Sequence, residues 1–240
     1  MSNQVVHEPS AEMTAATLIE TGSYHVDQTG DRAQWRKWKS GILAPVYCNT
    51  RSLSSGQQSQ RSMTLVVAAL AAMTTRFFSD ADLIVGLADG GIVWSSPVAI
   101  DMGINHALIR KQAKSHGVGG RIAGVDGADY SGAKAVIVDD LVASGKTVIE
   151  GARVLKDELG VETMGVVSIV NWCFPTTLHR FAESGIVPKT LTSWPQIIDQ
   201  AYRHGLLTEA GANELNVFYQ DPAAHVWNPE VFKMSEEVNA

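Results

Sequence analysis

The stretch AVIVDDLVASGKT (Ala135–Thr147) contains the pattern that decides the fold of this chain. Its first four residues are apolar, two acids follow at Asp139 and Asp140, and small residues then lead into Gly145-Lys146-Thr147. A short apolar run followed by a turn is typical of a buried strand, and the segment after the stretch has amphipathic helical spacing. The predicted elements are a strand over 135–140, a loop over 141–147 and a helix over 148–160.

The ending Gly145-Lys146-Thr147 matches only part of the P-loop of nucleotide triphosphatases, whose pattern is Gly-x-x-x-x-Gly-Lys-Ser/Thr. The residue five positions before Gly145 is Asp140. The first glycine of a P-loop lets the backbone approach the phosphates closely, and a carboxylate at that position would repel them. The sequence therefore argues against a P-loop.

A sugar phosphate is the ligand that this strand, loop and helix would suit. Open α/β sheets bind ligands at the carboxyl ends of their strands, and the N–H groups at a helix N-terminus attract phosphate. Asp139 and Asp140 could hold ribose hydroxyls, or a magnesium ion near them. The plainer alternative is a buried strand that ends in solvated acids.

Composition narrows the class of protein further. The 240 residues suffice for one α/β domain with extensions, and the net charge of -6 disfavours a nucleic-acid partner. The longest strongly apolar run, Leu65–Met73, is about half the length of a membrane span, and the N-terminus lacks a signal-peptide pattern. Cys48 and Cys173 have no metal-ligand spacing. We expect a cytoplasmic protein without membrane association.

The order of predicted elements along the chain favours a mostly parallel central sheet flanked by helices. A strand at DLIVGLADGG is followed by a helix, a strand at NHALIRK and a glycine-rich surface loop, before the decisive stretch. We divide the chain into a flexible tail over 1–10, a main domain over 11–205 and a C-terminal extension over 206–240.

The decisive stretch resembles the phosphoribosyl diphosphate (PRPP) motif of type I phosphoribosyltransferases, in which an apolar run and two acids precede Thr-x-Gly-x-Ser/Thr. The resemblance implies that Asp139 and Asp140 contact the ribose hydroxyls. It also implies that the loop wraps the 5′-phosphate through Ala143, Ser144, Gly145, Lys146 and Thr147.

The segment ALIRKQAKSHGVGGRIAG (107–124) is similar to the catalytic loop of orotate phosphoribosyltransferase. The resemblance implies that its cations stabilise the departing pyrophosphate, under a lid that excludes water. It also implies a homodimer, because the family's loop over 110–124 closes on the neighbouring subunit's site. The residues concerned are Arg110, Lys111, Lys114 and His116.

Two further segments match the same family in the same order. WKSGILAPVYCNTR (38–51) implies that Lys39 reaches the base or the pyrophosphate and that Tyr47 lies over the base. LIVGLADGGI (83–92) implies a pyrophosphate loop. The loop residues are Ala88, Asp89, Gly90 and Gly91.

The resemblance to the orotate phosphoribosyltransferase family implies a type I phosphoribosyltransferase fold with a small N-terminal hood. It also implies Mg²⁺-dependent transfer of the phosphoribosyl group from PRPP to orotate. The Mg²⁺ would be held mainly by PRPP, with Asp139 and Asp140 as the nearest protein groups.

Four positions depart from the family pattern. Ala143 replaces a threonine, and Asp89-Gly90 brings a negative charge to the pyrophosphate loop where many bacterial members have lysine after it. Ala123 replaces a glutamate. Asn171 and Trp172, which the resemblance implies bind the substrate, replace Asp-Arg, whose arginine helps hold orotate in the family. A tryptophan can stack on a base but cannot neutralise the orotate carboxylate. These departures leave two alternatives open: transfer to a different base, or a PRPP-binding regulator with little catalysis.

Replacing Lys114 with alanine is expected to lower turnover by about a hundredfold or more, because one cation that stabilises the leaving group is lost. The melting temperature should stay unchanged. Steady-state kinetics and a thermal melt check both points, and unchanged turnover would remove this loop from the mechanism.

Overall fold

The computed structural model describes residues 9–38, 41–55, 59–113 and 120–234. The chain forms two compact units. We call Met1–Ser59 with Thr192–Ala240 the hood unit, and Gln60–Leu191 the core unit. The predicted boundary between residues 205 and 206 stays a prediction.

The core unit is built on a six-stranded sheet in the order β10-β9-β8-β5-β6-β7. The strands are β5 (Leu83–Leu87), β6 (Asn105–Ile109), β7 (Ile122–Ala123), β8 (Lys134–Val142), β9 (Glu162–Asn171) and β10 (Val187–Ser193), whose last residues belong to the hood unit. The helices are α2 (Ser59–Phe77), α3 (Gly90–Met102), α4 (Lys146–Leu159) and α5 (Pro175–Ser184). Strands β6, β5, β8 and β9 pair in parallel, which confirms the predicted sheet.

Strands β5 and β8 form the centre of this sheet, and β5 and residues 135–138 of β8 are apolar because helices cover both faces. All residues of Leu83–Leu87 are buried, as are Ala135 to Asp139. Strand β8 continues to Val142, beyond the predicted end at residue 140, because β9 continues beside it and pairs with Leu141 and Val142. The acids therefore lie within a strand.

The predicted glycine-rich surface loop is partly a strand. Residues 114–119 lie outside the described part of the chain. After them, β7 pairs antiparallel with β6, with Leu108 opposite Ala123 and Ile109 opposite Ile122. The Arg110 N–H also donates to the Arg121 carbonyl at 2.7 Å. These bonds close the base of the loop in a way that its composition did not predict.

The hood unit contains two short antiparallel strand pairs. Strand β1 (Tyr24–Val26) pairs with β4 (Val46–Cys48), and β2 (Arg36–Lys37) pairs with β3 (Leu43–Ala44). Its helices are α1 (Pro9–Glu20), α6 (Trp194–Arg203) and α7 (Glu209–Gln220), with 3₁₀ helices at Arg32–Gln34, Thr50–Ser54 and Pro229–Phe232. None of the described helices, in either unit, is long and apolar enough to cross a membrane.

Aromatic rings form the centre of the hood unit. Phe218 of α7 is fully buried and stacks on Trp227 with ring centroids 4.6 Å apart. Trp194 and Trp38 contact the same phenyl ring at 5.5 and 5.7 Å. The Trp35 indole N–H donates to the Asp27 carboxylate at 3.0 Å. Residues near both ends of the chain thus share one core.

Replacing Phe218 with alanine is expected to destabilise the hood unit by about 3–5 kcal/mol, because a buried ring with several ring partners is lost. Val217→Ala on the same helix is the matched control. Val217 is 60% exposed, so its loss should cost less than about 0.5 kcal/mol. Urea denaturation followed by tryptophan fluorescence measures both, and equal midpoints would show that the ring cluster does not support the fold.

Candidate active site

The acid pair lies at the carboxyl end of β8, beside the loop that follows β5. Gly86 pairs with Val138 in the parallel register, so Asp139 and the residues after Leu87 reach the same edge of the sheet. Asp139 is buried, and its carboxylate accepts the Asp140 N–H at 3.0 Å. Asp140 is half-buried. The two acids therefore differ in solvent access although they are adjacent in sequence.

The predicted pyrophosphate loop packs directly on this acid pair. A Cβ atom at Gly91 would lie 2.7 Å from the Val138 carbonyl oxygen and 2.9 Å from an Asp139 carboxylate oxygen. A Cβ atom at Gly90 would lie 2.5 Å from the Asp140 carboxylate. A side chain at Gly91 would therefore overlap the backbone of β8, whereas one at Gly90 would meet the Asp140 side chain, which can rotate.

Asp89, the unexpected negative charge in this loop, forms an ion pair with Lys111. Lys111 is one of the cations predicted to bind pyrophosphate. Both side chains are more than half exposed, and exposed ion pairs contribute little to stability. A pyrophosphate group with several negative charges can therefore compete with Asp89 for Lys111.

Arg110 lies at the base of the predicted catalytic loop, where its backbone pairs with Arg121. The Arg121 guanidinium donates to the Arg110 carbonyl at 3.2 Å and to the Glu150 carboxylate at 2.6 Å. Glu150 belongs to α4, so this ion pair attaches the base of the loop to the helix that follows the acid pair. The predicted site residues Lys114, His116 and Lys39 lie outside the described residues.

The loop after β8 leads into the N-terminus of α4, as the sequence predicted, but it is shorter than predicted: it spans residues 143–145, and α4 begins at Lys146 rather than at residue 148. Gly145 precedes the helix with a φ of 72°, which favours glycine, and a Cβ atom there would lie 3.0 Å from the Phe181 ring. Lys146 and Thr147 are exposed at the first turn. The first N–H groups of a helix lack partners within the helix, so this terminus can bind an anion.

Helix α5 holds this loop, through contacts that sequence analysis missed. The Thr177 hydroxyl donates to the Ala143 carbonyl at 2.6 Å, and the Arg180 guanidinium donates to the Ser144 carbonyl. These side chains follow the loop by 34 and 36 residues, and no local pattern connects them to it.

Asn171 and Trp172, at the end of β9, are both buried. The Asn171 side-chain oxygen accepts the Cys173 N–H at 2.8 Å, so the amide stabilises the turn that follows. Trp172 is 3% exposed, and its backbone N–H donates to the Val142 carbonyl at 2.9 Å. Burial raises the pKa of the Cys173 thiol to about 12, which keeps it protonated and unsuited to act as a nucleophile. Neither Asn171 nor Trp172 supplies a positive charge.

The hood unit contains a cavity of about 530 Å³ on its strand pairs. Tyr47, the predicted base contact, lies in its wall and is 40% exposed. His25 is directly opposite Tyr47 in the β1–β4 pair, and Arg36 and Lys37 line the same cavity. The sequence analysis did not single out these three basic residues, because two short strand pairs bring them together.

A magnesium site with only protein ligands is absent from the described residues, which contain no suitable cluster of three or more His, Cys, Asp or Glu. Mg²⁺ usually keeps several waters and binds one or two carboxylates together with substrate phosphates. Asp139 and Asp140 are carboxylates of that kind. The acid pair therefore fits a Mg²⁺ ion that binds together with a diphosphate.

Comparison with protein families identifies the class of protein to which the chain belongs. The family described as "Phosphoribosyl transferase domain" matches residues 58–183, more than half of the chain. Orotate phosphoribosyltransferase from Aeropyrum pernix has a similar structure, with a TM-score of 0.66 at 19% identity over 80% of this chain and 99% of that one. This likeness confirms the predicted type I phosphoribosyltransferase fold.

Sequence relatives then identify the family. Orotate phosphoribosyltransferase of Streptococcus agalactiae serotype III (strain NEM316) is 33% identical over 184 residues, which are 77% of this chain and 85% of the relative. The chain belongs to the orotate phosphoribosyltransferase family, as its motifs predicted. It also resembles the structure of Leishmania donovani UMP synthase, with a TM-score of 0.69 at 21% identity, over 87% of this chain and 42% of that longer one.

Gly91→Ala is expected to destabilise the core unit by about 1–3 kcal/mol, because the new methyl group would overlap a backbone carbonyl of β8 that cannot move alone. Gly90→Ala is the matched variant. Its methyl group would meet the Asp140 side chain, which can rotate, so stability should be nearly kept while PRPP binding weakens. Denaturant melts and PRPP titrations test this difference, and equal loss of stability in both variants would contradict it.

Proposed function

We propose that this chain transfers the phosphoribosyl group of PRPP to orotate, giving orotidine 5′-phosphate and pyrophosphate, in the synthesis of pyrimidine nucleotides. The observation that carries the proposal is the assembly of three features at one sheet edge of a chain in this family. These features are the acid pair, the glycine loop packed on it, and the N-terminus of α4. Together they suit a ribose with a phosphate at one end and a diphosphate at the other.

In the proposed reaction, a nitrogen of the base forms a bond to the anomeric carbon, while the bond from that carbon to the pyrophosphate oxygen breaks. Pyrophosphate leaves with the electron pair, so positive charge develops on the ribose and negative charge on the leaving group. Asp139 and Asp140 orient the ribose hydroxyls and lie near the developing positive charge. No covalent intermediate is required.

The cations of the catalytic loop stabilise the leaving group in this proposal. Lys111 is available after exchange from Asp89, and Arg110 stands at the base of the loop. Lys114 or His116 donates a proton to the departing pyrophosphate, since an imidazole titrates near neutral pH. The proton that the base nitrogen loses passes to solvent. The similarity of this loop to the family's catalytic loop supports these roles.

Magnesium and a second subunit complete the proposal. Mg²⁺ bound to the diphosphate of PRPP would neutralise part of its charge and make pyrophosphate a better leaving group. Asp139 and Asp140 are the protein carboxylates that would face it. We also propose a homodimer in which each subunit lends its 110–124 loop to the other. The resemblance of Arg110–His116 to the family's shared loop is its support.

Two observations favour different identities for the base. Buried Asn171 and Trp172 provide no cation for the orotate carboxylate, which favours a neutral base as the second candidate. The family of the chain favours orotate, because sequence relatives that it matches over most of its length are orotate phosphoribosyltransferases. Orotate is therefore the first candidate and a neutral base the second.

Pyrophosphate release from PRPP and Mg²⁺ tests the proposal directly. We expect release with orotate, little release with uracil or adenine, and loss of release when a chelator removes Mg²⁺. Asp140→Asn should lower the rate while Asp157→Asn, on the exposed face of α4, should not. Release with uracil but not with orotate would contradict the proposal and support the second candidate, transfer to a neutral base.

A further inference from the structure

We propose that Thr177 and Arg180 of α5 are positioning residues for the 5′-phosphate of PRPP. They would act through the backbone of the loop at Ala143 and Ser144. The inference rests on the proposed function, because the 5′-phosphate belongs to the substrate named there. It goes further by assigning a role in phosphate recognition to a helix outside the PRPP motif.

Three side chains on one face of α5 contact the loop. Thr177, Arg180 and Phe181 are three and four residues apart, so their side chains lie on the same side of an α-helix. Thr177 and Phe181 are each 1% exposed, and Arg180 is half-buried. Each contacts a successive residue of the loop: the hydroxyl reaches the Ala143 carbonyl, the guanidinium reaches the Ser144 carbonyl, and the phenyl ring packs on Gly145.

These contacts fix the direction of the loop's N–H groups. In a planar trans peptide the carbonyl and the following N–H point in opposite directions. When α5 holds the carbonyls of Ala143 and Ser144, the N–H groups of Ser144 and Gly145 therefore point away from α5. They become donors on the other side of the loop, at the N-terminus of α4, where the phosphate is proposed to bind.

Arg180 adds an electronic effect to this orientation. A charged donor on the Ser144 carbonyl polarises that peptide and makes the Gly145 N–H a stronger donor, because linked hydrogen bonds reinforce one another. The effect is important in this chain because Ala143 has no hydroxyl to offer the phosphate, so phosphate binding depends more on backbone N–H groups. Arg180 also places a positive charge close to a loop that must hold a dianion.

Binding of two probes, ribose 5-phosphate and inorganic pyrophosphate, separates this role from general damage to the fold. Arg180→Met should weaken ribose 5-phosphate about tenfold or more and raise the KM for PRPP by a similar factor. The affinity for pyrophosphate and the KM for the base should stay within about twofold. Arg180→Lys, which keeps the charge and a donor, should restore most of the loss. Calorimetric titration of the full-length protein gives both affinities.

Thr177 needs a conservative pair of variants, because removing a buried hydroxyl could also unfold the protein. Thr177→Ser keeps the donor and should bind ribose 5-phosphate nearly as the parent does, while Thr177→Val should lose affinity. His179→Ala is the control on the same helix. Its side chain is 74% exposed and pairs only weakly with Glu183 in water, so both probes should bind as before.

The outcomes separate this inference from the proposed function. Parent-like ribose 5-phosphate binding by Arg180→Met would overturn the inference alone, and so would an equal loss of affinity for both probes. Failure of the unmodified protein to bind ribose 5-phosphate, pyrophosphate and PRPP would overturn the proposed function and the inference with it. Selective loss of ribose 5-phosphate, restored by lysine, supports the inference.

Discussion

The parallel pairing of β5 with β8 is the constraint on which the candidate site depends. It aligns Gly86 with Val138, so the loop after one strand and the acids of the other arrive at the same edge. The loop can approach the backbone of β8 only because Gly91 lacks a side chain, and Gly90 leaves room for the Asp140 carboxylate. A one-residue change in this register would reverse the faces of the buried strands and move Gly86 out of its close contact with α3, where a Cβ atom would lie 2.2 Å from the Ser95 hydroxyl oxygen. Core packing and site geometry are therefore determined by the same contacts.

The site as described is arranged to bind anions mainly through the backbone and through exchangeable cations. Asp139 and Asp140 are negative, Asp89 adds a third carboxylate, and Lys111 pairs with that carboxylate. Such a site suits a substrate that brings Mg²⁺ with its diphosphate, because the ion reduces the repulsion between substrate and acids. The helix N-terminus then provides dipolar donors without adding a fixed positive charge.

The departures from the family pattern have different structural consequences. Gly90 accommodates the acid pair, and Asp89 has a cationic partner. Ala143 lacks the hydroxyl of the family's threonine, and its carbonyl accepts a hydrogen bond from the Thr177 hydroxyl of α5. Trp172 is buried, so the structure offers no exposed aromatic face there for a base. The family of the chain is the finding that favours orotate as the base.

The sequence by itself determined the class of fold, the order of the parallel strands β5, β6, β8 and β9, and the segment that matches the PRPP motif. These features are local: apolar runs, glycines at turns and the acids at 139 and 140 can be recognised within short windows. It also indicated the family, because several such windows follow one another in a fixed order.

Only the tertiary structure decided which distant residues complete the site. Thr177 and Arg180 reach Ala143 and Ser144 from another helix, and Lys111 reaches Asp89. Such contacts depend on packing between elements far apart in the chain, and no short window of the sequence contains both partners.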